Sequence, residues 1–268
     1  MKRALLFDCD GVLADTERDG HLVAFNRMWR EHGVNWQWTL PQYAEKLKIG
    51  GGKERLSSLA QDREFRSVYK VPDSEKEWSE TVAGWHRRKT DLYKELIGSG
   101  AIPGRPGVKR LAEQALDRGW ALAVCSTSAL TSVEAVLSHV MGESTARRFS
   151  GVFAGDLVAA KKPSPDIYHL AARELGVSAS NCVVVEDSRN GLLAAQAAGM
   201  TCVITQNELT KSEDFTEAAI VLSSLGESGG EPLMIIQNRS MATPNTIFTV
   251  DDLEQVLRTD RSDPNGGV

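Results

Sequence analysis

The chain is short of positive charge. Its 31 Lys and Arg face 36 Asp and Glu, a net charge of −5 over 268 residues. No basic field is available to hold a phosphate backbone, so no nucleic-acid partner is expected. Long apolar runs are missing too. None approaches the ~18–20 residues that cross a bilayer, and no membrane partner is expected. The opening MKRALLFDCDGV superficially resembles a secretory leader, but Asp8 and Asp10 interrupt it after four apolar residues, Ala4 to Phe7. That is too short for a signal core, and the chain is expected to stay inside a cell or to have lost a targeting segment already. The four cysteines, Cys9, Cys125, Cys182 and Cys202, form no C-x-x-C pair. Their wide spacing sets aside a zinc site and points to buried free thiols in a reducing compartment.

What is present is the composition of a soluble globular protein, 41% hydrophobic and 25% charged. The length suits one large domain or one domain carrying an insertion, and it buries enough surface to fold without staples. Short apolar or β-branched runs at Ala4–Phe7, Ala121–Cys125, Cys182–Val185 and Cys202–Thr205 predict strands buried on both faces, as in a parallel sheet. Further runs lie at Ala219–Leu222, Leu233–Ile236 and Thr246–Val250. Helical spacing fills Gly107–Arg118, Asp166–Leu175 and Gly191–Ala198, each followed by glycine. The alternation predicts an α/β fold with a doubly wound, Rossmann-like parallel sheet built from residues 1–14 and 101–225.

Residues 15–100 differ. They hold Trp29, Trp36, Trp38, Trp78 and Trp85, many charges and no strand-like run. Helical periodicity over Glu17–Glu31, Leu40–Leu47, Lys53–Gln61 and Glu75–Ile97 predicts an inserted all-helical domain covering one end of the sheet, in the manner of a lid. Residues 226–268 are expected to form an extension, partly associated with the core, with two strands, a helix over Asp251–Leu257 and a disordered polar end.

In an open α/β sheet, ligands bind at the carboxyl ends of the strands. Polar residues stand there four times. Asp8-Cys9-Asp10-Gly11 places two carboxylates at i and i+2, on one side of an extended chain. Such a pair needs a cation or a shared proton; solvated turn aspartates are the alternative. Ser126-Thr127-Ser128 offers hydroxyls and N–H groups for an anion, or a helix cap. Lys161-Lys162-Pro163-Ser164-Pro165 stiffens a loop that carries a lysine to the same end, or a surface lysine beside a helix start. Glu186-Asp187-Ser188 ends a buried run with two acids that are costly to bury unless they meet a cation or donors. Hard oxygen ligands of this kind suit Mg²⁺.

In that order, DCDGVLADTE, VCSTS, KKPSPDIY and VVVEDSRNGLLAAQAAGM resemble the four motifs of haloacid dehalogenase superfamily phosphohydrolases. The resemblance spans about residues 4–225 and implies a Rossmann-like core, a helical cap and Mg²⁺-dependent phosphoryl transfer through an aspartyl-phosphate. It makes Asp8 the nucleophile and Asp10 the general acid and base, with the Asp10 backbone carbonyl also on the metal. Ser126 and the neighbouring N–H groups, with Thr127, would hold phosphate oxygens, and Lys162 would offset the phosphoryl charge. Glu186 and Asp187 would complete the metal site with Asp8 and Asp10.

In the inserted domain, Gly50, Gly51 and Gly52 expose consecutive N–H groups beside Lys48, Lys53 and Arg55. That combination suits a second phosphate, or a flexible loop. Glu17, His21, Tyr43, Lys89 and Arg105 are further polar residues for a sugar-sized pocket, or a solvated helix face. TERDGHLVAFN, KIGGGKER, RRKT, RPGV and VCSTS are together similar to CbbY-type phosphatases, especially the plant and algal form. That resemblance implies hydrolysis of the 1-phosphate of xylulose-1,5-bisphosphate, an inhibitory misfire product of Rubisco. It also implies a carbon-fixing source, in cytoplasm or plastid stroma, and a monomer whose partner is a small sugar phosphate or bisphosphate. A β-phosphoglucomutase-like mutase uses the same four motifs and is the alternative. A non-catalytic phosphate-sensing module is disfavoured by the second acid, Asp10.

Overall fold

The computed structural model describes residues 2–155 and 157–262. Contacts divide the chain into two units, residues 1–14 with 103–268 and residues 15–102.

β1 (Ala4–Phe7) opens the chain. The inserted unit follows, with α1 (Val23–Glu31), α2 (Leu40–Leu47), α3 (Gly52–Ser57), α4 (Arg63–Val68) and α5 (Glu75–Gly98). The rest of the core unit runs α6 (Val108–Asp117), β2 (Ala121–Ser126), α7 (Leu130–Met141), α8 (Glu143–Ala146), β3 (Gly151–Ala154), α9 (Asp166–Leu175), β4 (Cys182–Glu186), α10 (Arg189–Ala197), β5 (Thr201–Thr205), β6 (Ile220–Leu222), β7 (Ile235–Asn238) and α11 (Val250–Ser262). Every residue of β1, β2, β4, β5 and β6 is buried, the pattern of strands covered on both faces.

The seven strands are ordered β3-β2-β1-β4-β5-β6-β7. All neighbours pair parallel except β6 and β7. The chain builds outward from β1 to β2 and β3, then returns to the other side of β1 with β4. The order in which strands are added therefore reverses between β1 and β4, and the crevice at their carboxyl ends is where such sheets bind ligands. Helix ends are set locally. Gly107, at φ +82, lets α6 begin where a Cβ would overlap the Gly226 carbonyl. Ser188 caps α10 by accepting from the Gly191 N–H at 3.2 Å.

In the inserted unit, α5 runs 24 residues, roughly 36 Å at 1.5 Å per residue. It buries Trp78, Val82, Trp85, Lys89, Leu92, Tyr93 and Ile97 along one stripe. Thr39 and Gln42 form a reciprocal capping box for α2. Phe25, Trp29, Trp38 and Tyr43 pack ring against ring, with centroids 4.7–6.0 Å apart. The Asn26 amide bonds both the N–H and the carbonyl of Trp38 at 2.9 Å, pinning the α1–α2 connection into this group.

Several sequence expectations need correction. The run over Glu17–Glu31 begins as a π-helical turn, Glu17–Leu22, before α1. The stretch Lys53–Gln61 divides into α3 and a 3₁₀ turn, Ser58–Gln61. The strand expected at Leu233–Ile236 lies at Ile235–Asn238, pairs antiparallel on the sheet edge and is largely exposed. Thr246–Val250 is not a strand. Thr249 donates from its N–H and hydroxyl to Asp252 at 2.8 and 2.7 Å, which turns the chain into α11 instead. That helix runs to Ser262, beyond the expected Leu257, and residues 263–268 of the expected disordered end lie outside the described residues. β3, α4, α7 and α8 were not anticipated.

Candidate active site

Strand register builds the site. Phe7 lies opposite Val124 of β2 and Val185 of β4, so the next residue, Asp8, emerges where both neighbours end. Its N–H donates to the Val185 carbonyl at 2.9 Å. Lys162 reaches the same point from the Pro-bounded loop before α9. Its ammonium donates to Asp8 Oδ1 at 2.6 Å, the Cys125 carbonyl at 2.7 Å and Glu186 Oε1 at 2.5 Å. Three donors meet three acceptors, and the lysine is 6% exposed. Of the two adjacent lysines, Lys162 makes these three bonds.

Glu186 is held from every side. Tyr168 donates its phenol proton to Oε1 at 2.7 Å, while the Asp187 N–H and the Ser188 hydroxyl donate to Oε2 at 3.1 and 3.4 Å. A Cβ on Gly191 would overlap this carboxylate, so only glycine fits at that turn of α10. Asp10, two residues beyond Asp8, accepts from the Ser128 hydroxyl at 2.5 Å. The Ser128 N–H in turn donates to the Ser126 hydroxyl at 3.1 Å, and half-buried Thr127 lies between them.

Burial pushes the Asp8 carboxyl well above the usual carboxylate range; Lys162 pulls it back, and Glu186 and Asp10 push it up again. Burial also works against the Lys162 ammonium, but Asp8 and Glu186 outweigh it and hold its proton more tightly than in an ordinary lysine. Burial, then the charges of Glu186 and Asp8, keep Tyr168 a neutral phenol and therefore a donor.

Asp8, Glu186 and Asp187 each offer a carboxylate oxygen, all within 4.8 Å of one another. Lys162 pairs with two of these acids, Asp8 and Glu186. An all-oxygen donor set of three carboxylates fits a hard divalent cation of the Mg²⁺ type.

Arg105 belongs to the core unit and does something else. Its guanidinium donates to four main-chain carbonyls, those of Gly11, Thr205, Gln206 and Ser223. Through Nη1 and Nη2, Arg105 thus bridges the loops at three strand ends.

The expected residues of the inserted unit fall into three groups. The Tyr43 hydroxyl donates to Glu17 Oε2 at 2.5 Å and accepts from Arg55 Nη1 at 3.1 Å. Arg55 also lies 3.6 Å from Glu17 Oε1 and donates from Nε to the Ile49 carbonyl at 3.0 Å. The Lys89 ammonium is hydrogen-bonded to His21 Nδ1 and sits 4.7 Å above the Phe25 ring, while His21 stacks on Tyr93 at 4.0 Å. Gly50 and Gly51 lead into α3, with Gly51 at φ +98; Gly52 starts the helix close against His86, and Lys53 is half-buried on its first turn.

Ser128, Tyr168 and Asn207 hold the expected acids; Ser128 was read as an anion-binding or capping hydroxyl, and Tyr168 and Asn207 were not singled out by sequence. Ser128 and Tyr168 lie inside the quoted motifs. Asn207 donates to Asp187 Oδ2 at 2.7 Å from just beyond β5, a fifth strand end that the same rule would have flagged.

Residues 2–199 match the haloacid dehalogenase-like hydrolase family. A CBBY-like protein of Arabidopsis thaliana is 49% identical over 227 residues, covering 84% of this chain and 69% of that protein. The crystal structure of CbbY from Rhodobacter sphaeroides in complex with phosphate is 40% identical, with a TM-score of 0.74 over 84% of this chain and 95% of that one. A mutant CbbY from that organism in complex with xylulose-(1,5)bisphosphate is 39% identical, with a TM-score of 0.74 over 85% and 98%. The chain therefore belongs to the haloacid dehalogenase-like hydrolases, an enzyme family, and within it to the CbbY proteins.

Proposed function

We propose that the protein is a Mg²⁺-dependent phosphatase that removes the 1-phosphate of xylulose-1,5-bisphosphate through an aspartyl-phosphate on Asp8. The observation that carries the chemistry is the Asp8–Lys162–Glu186 cluster at the ends of β1 and β4, with Asp10 held apart on Ser128. An Asp8 oxygen attacks phosphorus, the bond to the sugar oxygen breaks, and Asp10 gives its proton to the leaving alkoxide. Asp10 then takes a proton from the water that cleaves the aspartyl-phosphate, returning both acids to their starting state. Lys162, bonded to Asp8 Oδ1, offsets the growing phosphoryl charge. Ser126 and the N–H groups of the β2 end are the contacts for the phosphoryl oxygens. Asp8, Asp187 and Glu186, with the Asp10 carbonyl, would hold Mg²⁺, which supplies charge shielding and a template when bound.

The substrate assignment rests on the similarity to a CbbY protein crystallised with xylulose-(1,5)bisphosphate. In this reading the inserted unit selects the sugar. Glu17, Tyr43, His21 and Lys89 meet its hydroxyls, and the Gly50–Gly52 N–H groups with Lys53 take the second phosphate.

Phosphate release with Mg²⁺ from xylulose-1,5-bisphosphate, ribulose-1,5-bisphosphate and glucose 1-phosphate tests the reading. A kcat/KM at least ~10²-fold higher on the xylulose compound, about 2.7 kcal/mol of transition-state discrimination, is expected. Equal slow rates on all three would remove the substrate assignment. Isomerisation of glucose 1-phosphate, stimulated by a bisphosphate, would identify a mutase instead.

A further inference from the structure

We infer that Asn207 is a positioning residue for the metal site, its side-chain amide fixing the Asp187 carboxylate before a divalent cation arrives. The inference rests on the metal-dependent reading above and concerns a residue outside the four motifs.

The orientation of the Asn207 amide follows from its surroundings. Its Oδ1 accepts from the N–H groups of Leu209 at 2.9 Å and Thr210 at 3.2 Å, and its own N–H donates to the Thr210 hydroxyl at 3.2 Å. This is the turn that asparagine forms with the backbone two residues on. With the oxygen so engaged, the NH₂ group faces Asp187 Oδ2 at 2.7 Å. The flipped amide would set NH₂ against two N–H groups and oxygen against a carboxylate. Asp187 thus receives a donor from a side chain that is itself locked.

The segment carrying Asn207 is tied down on both sides. Ahead of it, Arg105 donates to the Thr205 and Gln206 carbonyls at 3.2 and 2.9 Å and also to the Gly11 carbonyl, so one guanidinium holds both the loop after Asp10 and the approach to Asn207. Behind it, the Arg189 N–H donates to Glu213 at 2.5 Å, its guanidinium donates to the Asp214 carbonyl at 3.0 Å, and it pairs with Glu217. Arg189 stands two residues after Asp187. Between these anchors the Gln206 amide bonds the Lys211 carbonyl at 3.1 Å. The close approach also explains Gly11. At φ +82, a Cβ there would overlap Asp187 Oδ2 and meet Asn207 Nδ2 at 2.8 Å. Partners one step out from the ligands set ligand orientation, and their loss typically costs about 10–100-fold in metal affinity.

The test titrates Mn²⁺, a spectroscopic substitute for Mg²⁺, into the full chain without substrate and reads free ion by electron paramagnetic resonance. Asn207→Ala removes both the turn and the donor. Asn207→Ser keeps a weaker version of the turn but is too short to reach Asp187. Both variants are expected to bind Mn²⁺ about 10–100-fold more weakly than wild type. The Ser variant should keep the wild-type melting temperature measured without metal, and saturating metal should restore kcat in both. Mn²⁺ binding within twofold of wild type in both variants would overturn the inference. So would normal binding in the Ser variant beside weak binding in the Ala variant, since the turn and not the amide would then matter. A wild-type protein that binds no Mn²⁺ would instead remove the metal reading itself, and this inference with it.

Discussion

The two units hold their polar residues in place by different means. In the core unit, the acids stand at strand ends and Lys162 on the loop before α9, and main-chain carbonyls join side chains from loops and α9 as partners. Lys162 bonds the Cys125 carbonyl, Asp8 bonds the Val185 carbonyl, and Arg105 bonds four carbonyls. In the inserted unit, Glu17, Tyr43 and Arg55 hold one another, and Lys89 rests on His21 and Phe25. A sheet places chemistry by topology, whereas a helical unit places it by side-chain packing. The first arrangement ties polar side chains to main-chain carbonyls, and the second ties them to one another and to aromatic rings.

Asp8→Asn breaks the core side of this contrast most severely. Turnover should fall by at least about 10³-fold, because no carboxylate is left to attack phosphorus. The melting temperature should hold or rise, because one of several crowded buried acids is gone. Phosphate release and thermal melting check both halves, and normal turnover would sink the assignment of Asp8.

Lys162→Met comes next. It leaves Asp8 and Glu186 buried without their cation, a loss of about 3–5 kcal/mol in urea unfolding. A loss under ~1 kcal/mol would show that the cluster is open to water and that Lys162 does not hold it together.

Lys53→Ala probes the inserted unit. KM for a bisphosphate should rise several-fold while KM for a monophosphate of the same sugar stays level, with stability unchanged. An equal rise for both would remove the second-phosphate role.

The smallest expected effect is none. All four cysteines lie in the core unit and are buried, and five of the six tryptophans lie in the inserted unit. Burial pushes the Cys182 thiol up to about 12 and raises Cys125 and Cys202 as well. A raised pKa leaves the thiol protonated at pH 8, and the thiolate is the reactive form, so native protein should resist alkylation there. Thiol trapping then reports opening of the core, and tryptophan fluorescence reports the inserted unit. In urea the two signals should separate if the units unfold independently, and rapid labelling of native protein would contradict the packed core.

The same contrast explains what could be read from sequence. β1, β2, β4 and β5 were legible because strands covered on both faces are continuous apolar runs, and their ends exposed Asp8, Ser126 and Glu186. β3 was not legible, being four residues long, begun by glycine and placed on the sheet edge. Thr246–Val250 read as strand from its residue types, yet the Thr249–Asp252 pair starts a helix there. Arg105 was singled out, but not as a clamp, because carbonyl acceptors leave no mark in a sequence. The pairing of Tyr43 with Glu17 and Arg55 spans 38 residues and depends on how three helical segments pack, so only the residue types were visible.

In the proposed reaction, phosphoryl transfer passes through Asp8. Quenching the reaction during turnover and reducing with borohydride converts an aspartyl-phosphate to homoserine, which peptide mass spectrometry locates. Homoserine at position 8, formed only when substrate is present and absent from Asp8→Asn, is the predicted result. Turnover with no modification at Asp8, or with the label at another acid, would contradict it.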